Sequence, residues 1–247
     1  MSRRSVIVGG SAGLGRAIAE ILADRGDSIF IISTDRCDLI PFCSDLRLRY
    51  GVVTGYEEVD LGAVDTLELR KKIIDVLGGV DNLFLIAGFL CTSEDYGYIP
   101  TAMIDKLLQV NLIGTIKIVN EFITDLSLNS NGNLIGIGSI AATRGRNRNV
   151  IYSVAKRGLE SYFESCRYFF SNTGGAHVQF YRLGYIKTSM TFGQTTALPM
   201  IDAKLAAQEI IKKLDSHHLN KYLPKWWFPI MLILKLLPWP IFRRLNF

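Results

Sequence analysis

The 247-residue sequence predicts an α/β fold, a single doubly wound parallel sheet with helices on both faces, followed by an apolar, basic C-terminal segment. Three observations carry that expectation. Short runs rich in Ile and Val alternate with helix-length segments from the first residues to about residue 190. A glycine-rich turn joins the first such run to the first helical segment. The chain is 49% hydrophobic, enough for one large core, and α/β folds of this length are commonly single domains.

Taken in order, residues 5–8, 28–32, 83–86, 134–137 and 178–181 read as short strands, because apolar runs without polar alternation suit a parallel sheet covered on both sides. Val52 and Val53 open a weakly patterned stretch ending near Asp60 that reads as a further strand. Residues 16–25, 66–77, 102–126 and 152–170 read as the intervening helices, the rhythm of a parallel sheet with helical crossovers. The composition changes only after about residue 220, so residues 1–220 are expected to form the domain and residues 221–247 a tail.

The net charge of +5 raises nucleic acid or an anionic surface as partners. No Lys/Arg run interleaved with aromatics occurs in the body of the chain, which argues against nucleic acid. The four cysteines, Cys37, Cys43, Cys91 and Cys166, form no CxxC pair and have no histidine-rich companions, so no metal site is expected. Buried free thiols in a reducing compartment are the expectation. Residues 1–5 alone precede the first apolar run, which leaves no room for a secretion signal, and a cytoplasmic location is expected.

Gly9-Gly-Ser-Ala-Gly13-Leu-Gly15 follows the first strand and opens the first helix. Glycines there let the backbone approach a pyrophosphate, whose charge the free N–H groups of a helix N-terminus stabilise. A plain strand-to-helix turn is the alternative. Further on, Tyr152 and Lys156 stand at i, i+4, on one face of a helix, with Ser139 thirteen residues before the tyrosine. A phenol titrating near pH ~10 is a poor proton donor at neutral pH unless a nearby cation stabilises the phenolate. Lys156 supplies that cation. In isolation the same spacing occurs on ordinary amphipathic helices.

Over residues 5 to about 190 these motifs resemble the classical short-chain dehydrogenase/reductase family, whose fold is of Rossmann type. Its glycine motif matches Gly9, Gly13 and Gly15, with Val8 where a threonine usually precedes it. Its acidic residue after the third strand matches Asp60, followed by Leu61. Its Asn-Asn-Ala-Gly segment is Leu85-Ile86-Ala87-Gly88 here, without the asparagines. The catalytic tetrad it implies is Asn111, Ser139, Tyr152 and Lys156, and its later Pro-Gly-x-x-x-Thr segment is Leu183-Gly184-Tyr-Ile186-Lys-Thr188. The coenzyme contacts implied are Gly9, Ser11, Gly13, Leu14, Gly15, Ser33, Thr34, Arg36, Asp60, Leu61, Ala87, Gly88, Tyr152, Lys156, Gly184, Ile186 and Thr188.

The resemblance implies hydride transfer between a nicotinamide, NADP or NAD, and a secondary alcohol or ketone. Tyr152 would protonate the oxygen, Ser139 would hold it, and Lys156 would hold the nicotinamide ribose. Asn111 would link Lys156 to solvent through its backbone and a water. A member that binds nucleotide without catalysis, and recruits a partner through its tail, is the non-enzyme alternative. At the end of the second strand, Ser33 stands where an NAD-selective member carries its acid, and Arg36 is placed to reach a 2′-phosphate, a lean toward NADP. Asp35 beside it, Ala12 before Gly13, and a solvated role for Arg36 weigh against that lean.

Arg144, Arg146 and Arg148 lie between the serine and the tyrosine, and with Tyr185 they are candidate substrate contacts, for a phosphate in particular. A solvated loop or an oligomer contact explains the arginines equally. Residues 221–247 hold no acid, five basic residues and all three tryptophans. The nine-residue apolar run 226–234 is shorter than the ~20 a bilayer span needs. Such a tail fits an anchor on the inner face of the cytoplasmic membrane, or a lid over the pocket or across a dimer interface. The run from Arg144 to Tyr152, the segment 184–190 and the tail resemble one branch of the family, the reductases of decaprenylphosphoryl-ribose 2′-epimerases. That branch implies a keto-sugar on a polyprenyl phosphate, a partner oxidase and cell-envelope glycan synthesis, against the alternative of a small or lipid ketone. The family also implies a homo-oligomer paired through the helices of Asn111 and Tyr152.

Overall fold

The computed structural model describes residues 2–91, 98–193, 198–216 and 221–245. Nine strands are described: β1 (Arg4–Val8), β2 (Ser28–Ser33), β3 (Thr54–Glu58), β4 (Asn82–Leu85), β5 (Asn133–Ser139), β6 (His177–Leu183), β7 (Ile186–Lys187), β8 (Ile201–Asp202) and β9 (Lys221–Leu223). Seven of them form one parallel sheet in the order β3-β2-β1-β4-β5-β6-β9, and β7 and β8 pair separately. The helices are α1 (Gly13–Asp24), α2 (Arg36–Tyr50), α3 (Thr66–Leu77), α4 (Thr101–Leu108), α5 (Gly114–Glu121), α6 (Ile123–Ser127), α7 (Val150–Thr173), α8 (Ala203–Ile211), α9 (Trp227–Leu236) and α10 (Trp239–Phe242).

Side-chain alternation along each strand separates two cores. Ile7, Ile29 and Ile31 point to the layer of α1, α2 and α8, where they meet Ile18, Phe42 and Ile210. Val6, Val8, Phe30 and Leu83 point the other way, to α3, α5 and α7, where they meet Ile73, Ile118 and Phe163. Both faces of the sheet are therefore covered, which is why the strands read as unbroken apolar runs. Strand order reverses between β1 and β4, so a crevice opens beyond the carboxyl ends of these strands.

Two departures from the sequence expectation bear on the site and its surroundings. Helix α2 was not expected, because Pro41 interrupts a segment without clear apolar periodicity. Its ends nevertheless carry local signals: the Asp35 carboxylate caps it by accepting from the N–H groups of Cys37 and Asp38, and Gly51 ends it at φ 67°. The single helix expected over 102–126 is divided. A π-helical turn, Gln109–Ile113, separates α4 from α5, and Phe122 (φ −105°, ψ 6°) separates α5 from α6. Gly114 follows the π turn and lies so close to the Leu61 carbonyl that no Cβ fits between them.

The expected domain limit at residue 220 falls just before β9, which pairs with β6 in the sheet, Leu223 opposite Leu183. Helix α9 then folds back so that Trp227 and Met231 form a small third core with Ile140. Of the cysteines, Cys43 and Cys166 are buried as expected, whereas Cys37 is exposed at the start of α2.

Candidate active site

A cavity of about 660 Å³ occupies the crevice. One wall is the turn from Gly9 to Gly15. Gly9 has φ 87°, and a Cβ there would stand 2.6 Å from the Ala87 nitrogen; Gly13 has φ 52°, and a Cβ there would come within 3.0 Å of the Thr188 side chain. Substitution at either would fill the space between turn, β4 end and the Thr188 segment. Ala12, at the N-cap of α1, offers no side-chain cap, and the first turn of α1 has no acid. Its orphan N–H groups therefore face the cavity unneutralised, as an anion requires.

These features fit a dinucleotide. The predicted contacts Gly9, Ser11, Gly13, Leu14, Gly15, Ser33, Thr34, Asp60, Leu61, Ala87, Gly88, Gly184, Ile186 and Thr188 all line the cavity. The hydroxyls of Ser11 and Ser33 share a 2.7 Å hydrogen bond at the β2 end. Asp60 accepts the N–H of Gly62 at 2.8 Å. Arg36 is the exception: it is exposed on the first turn of α2 and is not part of the lining, because Asp35 sets the helix start and turns the chain outward there.

Ser139, Tyr152 and Lys156 line the same cavity. Ser139 ends β5 and caps the 3-10 turn Ile140–Thr143 by accepting the Ala141 N–H at 3.1 Å, which leaves its own hydroxyl hydrogen to donate. Tyr152 and Lys156 lie one turn apart near the start of α7, with the Lys156 nitrogen 5.9 Å from the Tyr152 ring centre. Lys156 is 2% exposed, and its ammonium donates to the carbonyls of Ile137 (3.1 Å) and Ala87 (3.4 Å). Burial lowers its pKa from 10.5 to about 8, so near neutral pH it remains mostly a cation beside the phenol.

Asn111 sits behind this group, fully buried within the π turn. Its amide clamps Phe89 from both sides, accepting from the Phe89 N–H (3.0 Å) and donating to the Phe89 carbonyl (2.8 Å), with a further bond to Leu107 (2.9 Å). Gly88 completes the arrangement, since a Cβ there would press on Asn111 Oδ1 at 3.3 Å and on Lys156 Nζ at 3.5 Å.

Arg146 and Tyr185 line the cavity as expected; Arg144 does not. The Arg144 guanidinium donates to the carbonyls of Leu234 and Leu237, both at 2.6 Å, and lies 3.9 Å from the centre of the Phe242 ring. It caps the C-terminus of α9, where orphan carbonyls and the helix dipole favour a cation. Lys106 and Asn149, neither of them predicted, also line the cavity. Asn149 could have been found as an asparagine ahead of a long amphipathic helix; it takes φ 51° at the N-cap of α7 without capping it. Lys106 carries no local signal. Among the described residues Asp60 is the one acid of the lining, against the cations Lys106, Arg146 and Lys156.

Comparison with known proteins agrees with this geometry. The sequence profile described as "short chain dehydrogenase" matches residues 3–198. An uncharacterized oxidoreductase of Myxococcus xanthus is 26% identical over 212 residues, covering 85% of this chain and 83% of its own. Carbonyl reductase family member 4 of Xenopus tropicalis is 27% identical over 230 residues, covering 89% and 94%. A short-chain dehydrogenase from Sphingobium yanoikuyae, solved in complex with NADPH, shares the fold with a TM-score of 0.76 at 20% identity, covering 92% of each chain. With a glycine cradle, a Ser/Tyr/Lys group on one cavity and a matching profile over most of its length, the chain belongs to the short-chain dehydrogenase family.

Proposed function

We propose that this oxidoreductase uses NADP to reduce a ketone to a secondary alcohol, the ketone being that of a sugar carried on a polyprenyl phosphate or similar lipid in cell-envelope glycan synthesis. The observation that carries the reaction is the convergence of Ser139, Tyr152 and Lys156 on the cavity walled by the glycine cradle. The reduced coenzyme, when bound, supplies the hydride. Tyr152 donates a proton to the carbonyl oxygen, and Ser139 donates its hydroxyl hydrogen to the same atom, so two donors meet the charge that develops there. Lys156 stabilises the phenolate that remains and holds the nicotinamide ribose. Asn111 holds the backbone of Phe89, two residues after the Ala87 carbonyl to which the Lys156 ammonium donates.

NADP is favoured over NAD because the acid beside the ribose position is already engaged. Asp35 is bonded to the start of α2, and Ser33 presents a hydroxyl at the β2 end. The lipid-carried keto-sugar rests on the resemblance of the segments around Arg144, Gly184 and the tail to that branch, and on a cavity lining rich in cations, which suits a phosphate-bearing substrate. The similar carbonyl reductase of Xenopus tropicalis supports a carbonyl as the reacting group. A separate oxidase would supply the keto form.

A second reading, reduction of a soluble ketone, is favoured by one observation: α9 packs its apolar inner side on Ile140 and Tyr185, both of the cavity wall, as a pocket cover would. Incubation with reduced coenzyme and a membrane lipid extract, followed by mass analysis, separates the two. A gain of two hydrogens on a lipid-linked sugar supports the proposal. Brisk turnover of soluble ketones with no lipid-linked product overturns it in favour of the second reading, and no coenzyme oxidation with any carbonyl overturns both.

A further inference from the structure

We propose that the outward face of α9 and α10 docks on an anionic phospholipid bilayer. In naming where a lipid-carried substrate would be met, this rests on the reading above; the docking itself does not. Helix α9 has the sequence WFPIMLILKL, apolar all round except for Lys235. A helix of that kind is stable when both of its sides are covered. The inner stripe, Trp227, Met231 and Leu234 at helical spacing, is covered by Ile140 and Tyr185. The outer stripe is not: Leu232 is 45% exposed, Ile233 61%, Leu236 72% and Trp239 62%.

Charge selects the occupant. Between residues 221 and 245 there is no Asp or Glu, and Lys225, Lys235, Arg243 and Arg244 are exposed around the apolar stripe. Two copies of this face would bring like charges together, whereas an anionic headgroup layer offers counter-charge at the rim and acyl chains at the centre. At ten residues α9 is half the ~20 needed to cross, and no helix among the described residues is long and apolar enough to span, so the geometry is that of a helix lying in the interface. Leu237, Pro238 and the short α10 extend the face along one side. The cavity wall and the lipid-facing side are then opposite sides of one helix, which puts the substrate cavity one helix diameter from the membrane.

The test uses the purified full chain and vesicles of phosphatidylcholine with and without phosphatidylglycerol, read by co-sedimentation. The expected result is binding to the mixed vesicles, weakened by salt, and little to phosphatidylcholine alone. Replacing Lys235→Gln, Arg243→Gln and Arg244→Gln together should weaken vesicle affinity by about fivefold per cation removed. Leu232→Ser, Ile233→Ser and Leu236→Ser together should abolish it, while circular dichroism melts show the fold retained. Failure to sediment with either vesicle overturns the proposal, as does equal binding to both that the glutamine variant leaves unchanged. A reversible dimer in sedimentation velocity, dispersed by the serine variant, would assign the face to a second copy and overturn it as well. None of these readouts uses catalysis, so a failed reduction assay and a failed docking assay remain distinguishable.

Discussion

Trp227 lies against Gly184 so closely that a Cβ built on the glycine would stand 1.8 Å from the indole nitrogen, and the same indole meets Tyr185 edge-on with ring centres 5.8 Å apart. The tail therefore supports the segment that closes the cavity. Gly184→Ala should displace the ring and cost about 1–3 kcal/mol in a urea melt. Trp227→Ala, at a fully buried position, should cost about 3–5 kcal/mol. Truncation after residue 220 removes β9 and Trp227 together and is expected to unfold the cavity wall, so it cannot serve to read membrane binding. A truncated chain that melts like the full one would contradict this.

Tyr152→Phe should reduce turnover by about a hundredfold to ten-thousandfold, because it removes the proposed proton donor from an otherwise intact cavity. Coenzyme affinity and melting temperature should hardly change. Stopped-flow oxidation of the reduced coenzyme with a competent ketone gives the rate, and near wild-type turnover would remove Tyr152 from its role.

Lys156 predicts a pH dependence of stability. Its pKa is about 8 in the folded chain and 10.5 in the reference state. Below about pH 8 both forms are protonated and the buried cation opposes folding. Between about 8 and 10.5 the unfolded chain binds more protons than the native one, so stability rises with pH across that window. Lys156→Met should remove this contribution to the rise. Lys221, lowered to about 8 by burial and by Lys213 and Lys225, acts with the same sign, and Cys43, raised to about 11, acts with the opposite one. Subtracting the variant's curve from the wild type's, in urea melts from pH 7 to 10 without coenzyme, isolates Lys156; a flat difference would refute the assignment.

Arg144 and Arg146, two residues apart, should respond differently. Arg144→Ala leaves the Leu234 and Leu237 carbonyls without their donor and is expected to lower stability by about 1–3 kcal/mol. Arg146→Ala, on the cavity wall, should raise KM for an anionic substrate with little change in the melt. Exchange of these two phenotypes would reverse the placement.

Ser33→Asp would set a carboxylate at the β2 end beside Ser11. It should lower NADP affinity about tenfold or more, through repulsion of the 2′-phosphate, and improve NAD binding. Fluorescence titration with each coenzyme measures both. Unchanged preference would mean that the ribose lies elsewhere.

Much of this protein was decided by short-range chemistry and could be read directly. Strand-length apolar runs, the Gly9 to Gly15 turn and the i, i+4 relation of Tyr152 to Lys156 depend on neighbours a few residues apart, so the residue order alone determined the doubly wound sheet, the cradle and the pairing of that tyrosine with that lysine. The three-residue β9 was too short to carry a pattern of its own, and its place in the sheet comes from pairing with β6. Helix α2 was hidden by Pro41, and neither the π turn at Asn111 nor the close approach of Gly114 to Leu61 that follows it leaves a mark in the periodicity. Which arginine faces the cavity was likewise a tertiary matter. Arg144 turns away because carbonyls 90 and 93 positions further on need a cation at the end of α9, and only the folded chain brings those groups together.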